Sequence, residues 1–376
     1  MNIGICIIAY NRIESLKRVL LSLENSNFED NSISLIISID KSNTNDVEDY
    51  AKQYNWKYGE KRIITHRINL GLRKHVLKCG ELLEEYDALI VLEDDVSVAP
   101  SFYSYAKQCI EKFYNDEKIA GISLYNFPLN YQNQLPFYPL HSDSDIYLMQ
   151  CAQSWGQIWM KNQWFEFKNW YDKNSEEFEE LAHLPKAICN WPKSSWLKYH
   201  TRYCIEKGKY FVYPYISLST NNADAGTHYS QKTTLFQSQL FYGIKKDYNL
   251  NPTIYYDGYF ENEMLYKLTG LDKNSLCIDF YGEKKNRLKK KYWLTRLHLP
   301  YKVVKSYSLS FKPYEWNIIN NIEGHELFLY DTHTKNIQTY KPTRRLFNIY
   351  MYNKDISIFI LLRRSITSFI KRCIHF

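Results

Sequence analysis

The chain has 376 residues, of which 45% are hydrophobic and 16% aromatic, and a net charge of +7. That length suits one large domain, or a main domain with an appendage, around a sizeable core. No two of the eight cysteines form a C-x-x-C pair, which argues against a zinc site, and no apolar run reaches the roughly 18 residues of a membrane-spanning helix.

Residues 3–9 are a short apolar run without the basic leader or cleavage site of a signal peptide, so they read as a buried strand. Asn11 and Glu14 follow at capping-box spacing, and Leu16, Val19, Leu20 and Leu23 then recur at helical intervals. Residues 34–39 form a second strand ending at Asp40, 45–54 a helix, 62–66 a third strand, 70–83 a helix and 88–92 a fourth strand. Pro100 stands where helices begin, and Phe102, Tyr105, Ala106, Cys109, Ile110 and Phe113 mark one face of the next helix. Residues 119–124 are a fifth strand. This alternation predicts an α/β fold with a doubly wound, mainly parallel sheet and helices on both faces. Ligands of such sheets bind beyond the carboxyl ends of the strands. Asn11, Arg12, Asp40, His66 and Glu93-Asp94-Asp95 all fall at such ends.

Residues 125–145 form a polar loop, and Trp155, Trp159, Trp164, Trp170, Trp191 and Trp196 crowd together after it. Trp155 and Trp159 are expected to frame a helix start. Most of these rings suit a core, with Trp155 the best placed to stack on a sugar. The strand–helix rhythm stops near 245, giving a main domain over 1–245 and a C-terminal region over 246–376 that binds an acceptor or a membrane. Residues 284–314 hold ten Lys or Arg and no acid. Near the end, Ile358, Leu361, Leu362, Ser365, Ile366, Phe369 and Ile370 would share one side of a helix, with Arg363, Arg364, Lys371 and Arg372 mostly elsewhere. That pattern fits an interfacial helix on an anionic membrane surface, or a helix docked on its own domain. The buried-type cysteines point to a reducing, cytoplasmic compartment, with peripheral attachment to the inner face of the cell membrane.

The segment ALIVLEDDVSVAP places three acids directly after a buried strand. Adjacent carboxylates repel one another, and a divalent cation such as Mn2+ or Mg2+ removes the conflict while also taking phosphate oxygens of a substrate. A solvated acidic turn is the alternative. The cation reading requires the three acids to face a cavity and to be free of salt bridges with Lys or Arg.

The segment VLEDDVSVAPSFYSYA resembles the metal-binding segment of the N-acetylglucosaminyltransferase I family of GT-A glycosyltransferases. IAYNRIESLKRVLLSL, ISIDKSNTND and NLGLRKHVLKCGELL extend the similarity. SWGQIWMKNQW and VYPYISLSTNNADAGTHYSQ are similar to segments of bacterial, family-2-like sugar transferases. The resemblance covers roughly residues 1–240. It implies Asp95 as principal metal ligand, with Glu93 and Asp94 positioning it and contacting the donor sugar or ribose. It further implies that Asp40 accepts from a uracil N–H, that Arg12 faces the diphosphate and that His75 lies near the base or phosphates. Asp40 closing an Asx-turn, Arg12 on the surface and a core His75 are the alternatives. By position His228 is a further metal ligand, or else a histidine bonded to its own loop.

An inverting transfer needs a general base. Where the family has acids after its Trp-Pro-Lys stretch, this chain has Leu197 and Lys198. The candidates left are Asp224, placed first for its closeness to His228, and Asp143, Asp145 and His200. The expected activity is metal-dependent transfer of a sugar from a nucleotide donor, UDP-linked by resemblance, to a hydroxyl of a glycan or lipid-linked glycan. The rivals are a nucleotidyltransferase, which AYNRIES in place of a Gly- and Lys-rich loop argues against, and a non-catalytic protein binding lipid or nucleic acid through its basic tract. On the first reading no nucleic-acid partner is expected.

Overall fold

The computed structural model describes residues 1–28, 32–224, 234–284 and 289–336, together with Ile366. Strands β1 (Ile3–Ala9), β2 (Ser34–Ile39), β3 (Lys61–Thr65) and β4 (Ala88–Glu93) alternate with helices α1 (Ile13–Glu24), α2 (Asp46–Gln53) and α3 (Leu72–Cys79). Next come β5 (Val96–Val98), α4 (Phe102–Phe113) and β6 (Ile119–Ser123), followed by the short strands β7 (Leu129–Asn130) and β8 (Leu135–Pro136). The chain continues with β9 (Ile146–Met149), β10 (Gln157–Met160), α5 (Lys161–Asn174), α6 (Lys186–Cys189) and α7 (Leu197–Lys207). After these stand β11 (Tyr210–Pro214), β12 (Ser219–Asn221), β13 (Tyr255–Tyr256) and α8 (Met264–Thr269).

The main sheet has the order β13-β9-β11-β6-β10-β4-β1-β2-β3. Strands β3, β2, β1, β4, β6 and β11 run one way, while β10, β9 and β13 oppose them. The sheet is therefore mixed but mostly parallel, and it is wound on both sides. Ile5 and Ile7 of β1 pack with α1 and α4, whereas Cys6 and Ile8 pack with α3, α5 and α7. Alternate strand residues thus serve opposite cores, which is why the run IGICIIA is apolar throughout. In α1 the residues Leu16, Val19, Leu20 and Leu23 are fully buried, as their spacing predicts. The capping box does not form, because Arg12 takes the N-cap position and makes no side-chain cap bond.

Two expectations need correction. Trp159 lies inside β10, which threads antiparallel between β4 and β6, and the helix begins only at Lys161. Trp159 stacks on Trp164 at 3.9 Å between ring centres, and both are buried. The expected boundary at 245 falls before β13, the last strand of the main sheet.

The C-terminal region has its own sheet, β14 (Leu276–Ile278), β15 (Tyr292–Thr295), β17 (Leu327–Lys335) and β16 (Tyr301–Tyr307), with α9 (Glu315–Ile319) between β16 and β17 in sequence. A separate apolar cluster around Leu265, Ile278, Leu294 and Leu327 fills it. Buried Glu315 joins it to the main sheet by accepting from the Tyr256 hydroxyl at 2.7 Å and the Asn262 amide at 3.0 Å. The basic tract is partly consumed here. Lys284 is ion-paired with Asp257 at 2.5 Å, and Arg296 lies over the Tyr281 and Tyr314 rings. Among the described residues no helix is long and apolar enough to cross a membrane. His228 lies outside the described residues, as does the amphipathic pattern near the end apart from Ile366.

Candidate functional site

The carboxyl ends of β1, β2, β3 and β4 bring Arg12, Asp40, His66 and Glu93-Asp94-Asp95 to one edge of the sheet. The ladder sets this placement: the Asp94 N–H donates to the Ile8 carbonyl at 3.1 Å, and the Asp40 N–H donates to the Ala9 carbonyl at 3.0 Å. Beyond Asp95 the chain enters β5, which pairs antiparallel with β12.

The condition set for the cation reading, three acids free of salt bridges, is not met: Asp94 and Asp95 are both paired with Arg12, and what is left for a cation is one open carboxylate oxygen. Arg12 bonds Asp94 through Nη2, and its Nη1 donates to Asp95 Oδ2 at 2.9 Å. The residue expected to face a diphosphate therefore turns onto the acids, because three carboxylates at one strand end need a counter-charge. Burial alone would favour the neutral guanidine, but Asp94 and Asp95 outweigh it and keep the guanidinium protonated. Burial pushes the Asp94 carboxyl up to about 6 although Arg12 pulls it down, and burial together with Asp95 and Asp94 pushes Glu93 up to about 8.

The acids keep one opening. Asp95 Oδ1 is buried and has no hydrogen-bond partner. Mg2+-like cations are commonly held by one or two carboxylates plus substrate phosphates, and an unpartnered carboxylate oxygen fits that chemistry. Among the described residues no three His, Cys, Asp or Glu side chains form a ready cage. The residues fit a cation shared with a ligand, with Asp95 Oδ1 as the protein's oxygen and Arg12 fixing the other oxygen of that carboxylate.

A cleft opens beside β2 and β3, lined by Asp40, Lys41, Ser42, Thr44, Asn45 and His66. Asp40 is largely committed to backbone amides, most of them in the loop before α3. Its Oδ1 accepts from the N–H groups of Lys41 (2.9 Å) and Leu70 (2.8 Å), and its Oδ2 accepts from Gly71 (2.9 Å). Gly71 has φ of +73°, a left-handed geometry that favours glycine. One Oδ2 lone pair is left for a ligand; with amide partners at the next residue and 30 and 31 positions away, Asp40 forms no Asx-turn and ties β2 to the loop before α3. His75 is buried, 2.8 Å from the Ser38 hydroxyl, and has no access to the cleft. The ring in the cleft is His66, edge-on against His75, its pKa lowered chiefly by burial.

Trp155 is half-buried against Tyr125 and Phe236, and its carbonyl accepts from the Ser219 hydroxyl at 2.6 Å. The base candidates fare unequally. Asp224 is ion-paired with Arg18 and accepts from the Ser15 hydroxyl at 2.8 Å, so it braces α1 instead of standing free as a base. Asp145 is paired with Lys245 at 2.6 Å. His200 is fully buried, and burial lowers its pKa to about 3. Asp143 is exposed. Lys198, at the place where an acid was expected, is buried; its ammonium donates to the carbonyls of Phe178 (2.7 Å), Cys189 (2.7 Å) and Trp191 (3.2 Å). It holds the 178–191 segment together, and an acid there could not.

A mostly parallel, doubly wound sheet with acids at a strand end is the architecture expected of a GT-A-type α/β domain. Residues 4–148, from β1 into β9, match the family described as Glycosyl transferase family 2. This is the second of the two groups that the motifs resemble. No curated protein matches the chain. Among solved structures, a fragment of S. aureus TarS in complex with UDP is similar, with 12% identity over 57% of each chain and a TM-score of 0.36. The mannosyltransferase PcManGT from Pyrobaculum calidifontis, in complex with GDP-Man and Mn2+, has 9% identity over 57% of each chain and a TM-score of 0.35. This chain thus spans just over half the length of those structures.

Proposed function

We propose that the chain transfers a sugar from a nucleotide-sugar donor, UDP-linked, to a hydroxyl of a glycan or lipid-linked glycan, with a divalent cation at Asp95. The observation that carries this reading is the buried, unpartnered Asp95 Oδ1 at the strand end of a family 2 glycosyltransferase segment. A bound Mn2+ or Mg2+ would neutralise charge developing on the departing diphosphate. The chain's own residues set the stage for it. Arg12 orients the Asp95 carboxylate and neutralises Asp94. Glu93, at the end of β4 beside them, is the group for a ribose or sugar oxygen. The nucleoside lies in the cleft by β2 and β3, with His66 and the remaining Asp40 lone pair toward the base.

The transfer is inverting on this reading, and Asp143 is the base candidate whose carboxylate remains unengaged among the described residues. It precedes β9, whose Ile146 pairs with Pro214 at the carboxyl end of β11, so it lies at the ligand end of the sheet. The protein works in the cytoplasm, against an anionic membrane surface. A melting-shift screen of UDP-glucose, UDP-N-acetylglucosamine and GDP-mannose, with and without Mn2+, tests the donor assignment. A rise that needs both nucleotide sugar and metal supports it, and no rise with any combination rejects it.

A further inference from the structure

The acidic strand end has a neighbour that its own motif does not reveal. In the β5–β12 pair Asn221 lies opposite Val96, which sets the next residue, Asn222, opposite Asp95. The Asn222 N–H donates to the Asp95 carbonyl at 2.7 Å, continuing the ladder. Directly opposed residues of an antiparallel pair project side chains from the same face, with Cβ atoms about 4.5–5.5 Å apart. Asn222 and Asp95 are therefore side-by-side on one surface.

The Ser97 hydroxyl donates to Asn222 Oδ1 at 2.9 Å, which orients the amide and leaves Nδ2 as its open edge. Nδ2 is buried and has no partner among the described residues, and the same holds for Asp95 Oδ1. Buried polar atoms are normally satisfied, because leaving one unpaired costs free energy. Here an orphaned donor and an orphaned acceptor stand on neighbouring side chains and do not bond each other. A third group placed between them would satisfy both.

We infer that Asn222 is a donor-binding residue whose Nδ2 donates to an oxygen at the diphosphate–sugar end of the nucleotide sugar. The inference rests on the donor reading given above. Two oxygens have the required chemistry. A pyranose hydroxyl accepts from Nδ2 and donates to Asp95 Oδ1. A phosphate oxygen accepts from Nδ2 and meets Oδ1 through a shared cation. The amide carries no charge, so its contribution does not depend on pH.

The test is calorimetric titration of wild type, Asn222→Ala and Ser97→Ala with UDP, UDP-glucose and UDP-N-acetylglucosamine in the presence of Mn2+. Asn222→Ala weakens binding by roughly ten-fold or more, the usual effect of losing one hydrogen bond to a polar or charged acceptor, while Ser97→Ala, which keeps Nδ2, weakens it by less than about three-fold. A loss already seen with UDP assigns the phosphate oxygen, and a loss seen only with the sugar nucleotides assigns the hydroxyl. Equal affinity of wild type and Asn222→Ala for all three probes overturns the inference and leaves the donor reading standing. A wild type that binds none of the three overturns both. If Asn222→Ala does not fold, Asn222→Ser, which still accepts from Ser97, carries the same comparison.

Discussion

His200 gives a quantitative test of the line drawn between core and site. Its ring stacks on Phe167 at 4.1 Å and meets Trp164, Trp196 and Phe211, with no exposed surface. Neither ring nitrogen makes a hydrogen bond of normal geometry, and burial, slightly offset by the nearby Ala120 backbone, lowers its pKa to about 3. An unfolded histidine titrates near 6.5, so between those values the unfolded chain binds more protons than the fold. Stability therefore rises with pH through that window, and this contribution is lost as pH falls below about 6.5. Worked through the linkage relation, the loss between pH 7 and pH 5 is about 2 kcal/mol, and it is insensitive to the folded value so long as that lies well below 5. His200→Phe removes the titrating ring and keeps an aromatic one. Urea unfolding of both proteins at pH 5 and pH 7 isolates the effect as a double difference, in which the buried carboxyls cancel. Relative to wild type, the variant gains about 2 kcal/mol on going from pH 7 to pH 5, whatever constant offset repacking adds. A difference that is flat with pH refutes the burial argument. A folded His200→Phe that loses transfer altogether would instead put the ring in the chemistry.

Other perturbations separate bracing from catalysis. Arg12→Met leaves Asp94, with a side chain 4% exposed, unpaired beside two other acids. Because Arg12 itself is partly exposed, the expected destabilisation is about 2–3 kcal/mol by urea unfolding, below the full value for a buried pair; a change under about 0.5 kcal/mol would show the clamp to be absent in solution. Lys198→Met orphans three carbonyls at once and lowers stability by on the order of 3 kcal/mol, whereas a melting temperature equal to wild type contradicts the cage. Asp143→Asn lowers kcat by at least about a hundred-fold with KM for the donor little changed, while Asp224→Asn stays within a few-fold in kcat; the reverse order restores Asp224 as base.

The sequence made the α/β half of the molecule readable because its signals are local. Runs such as IGICIIA and ALIVLE, and the spacing of Leu16, Val19, Leu20 and Leu23, specify strands and a helix without reference to anything distant. Strand ends then follow, so Arg12, Asp40, His66 and the acids could be assembled in advance. What their side chains do there was not readable, because each partner is remote in the chain: Arg12 meets Asp94 and Asp95 across 82 and 83 positions, and Asp40 takes amides 30 and 31 positions away. Four apolar-leaning residues, QIWM, precede a helix and match its entry as well as a strand; only the gap between β4 and β6 makes them β10. Asn222 carries no sequence signal, since its meaning comes from its register against Asp95. The substitution of Lys198 for an acid was visible, but its cage of carbonyls depends on how residues 178–191 fold back.

Asp95 is the hinge of the account, and Asp95→Asn keeps its shape while removing the charge that a cation needs. Calorimetric titration of UDP-N-acetylglucosamine into wild type and Asp95→Asn, each with Mn2+ and with chelator, addresses it directly. Wild type should bind with Mn2+ and lose at least about a hundred-fold in affinity with chelator, and the variant should bind weakly in both. Equal affinity for the two proteins, or wild-type binding indifferent to chelator, would contradict a cation held at the end of β4.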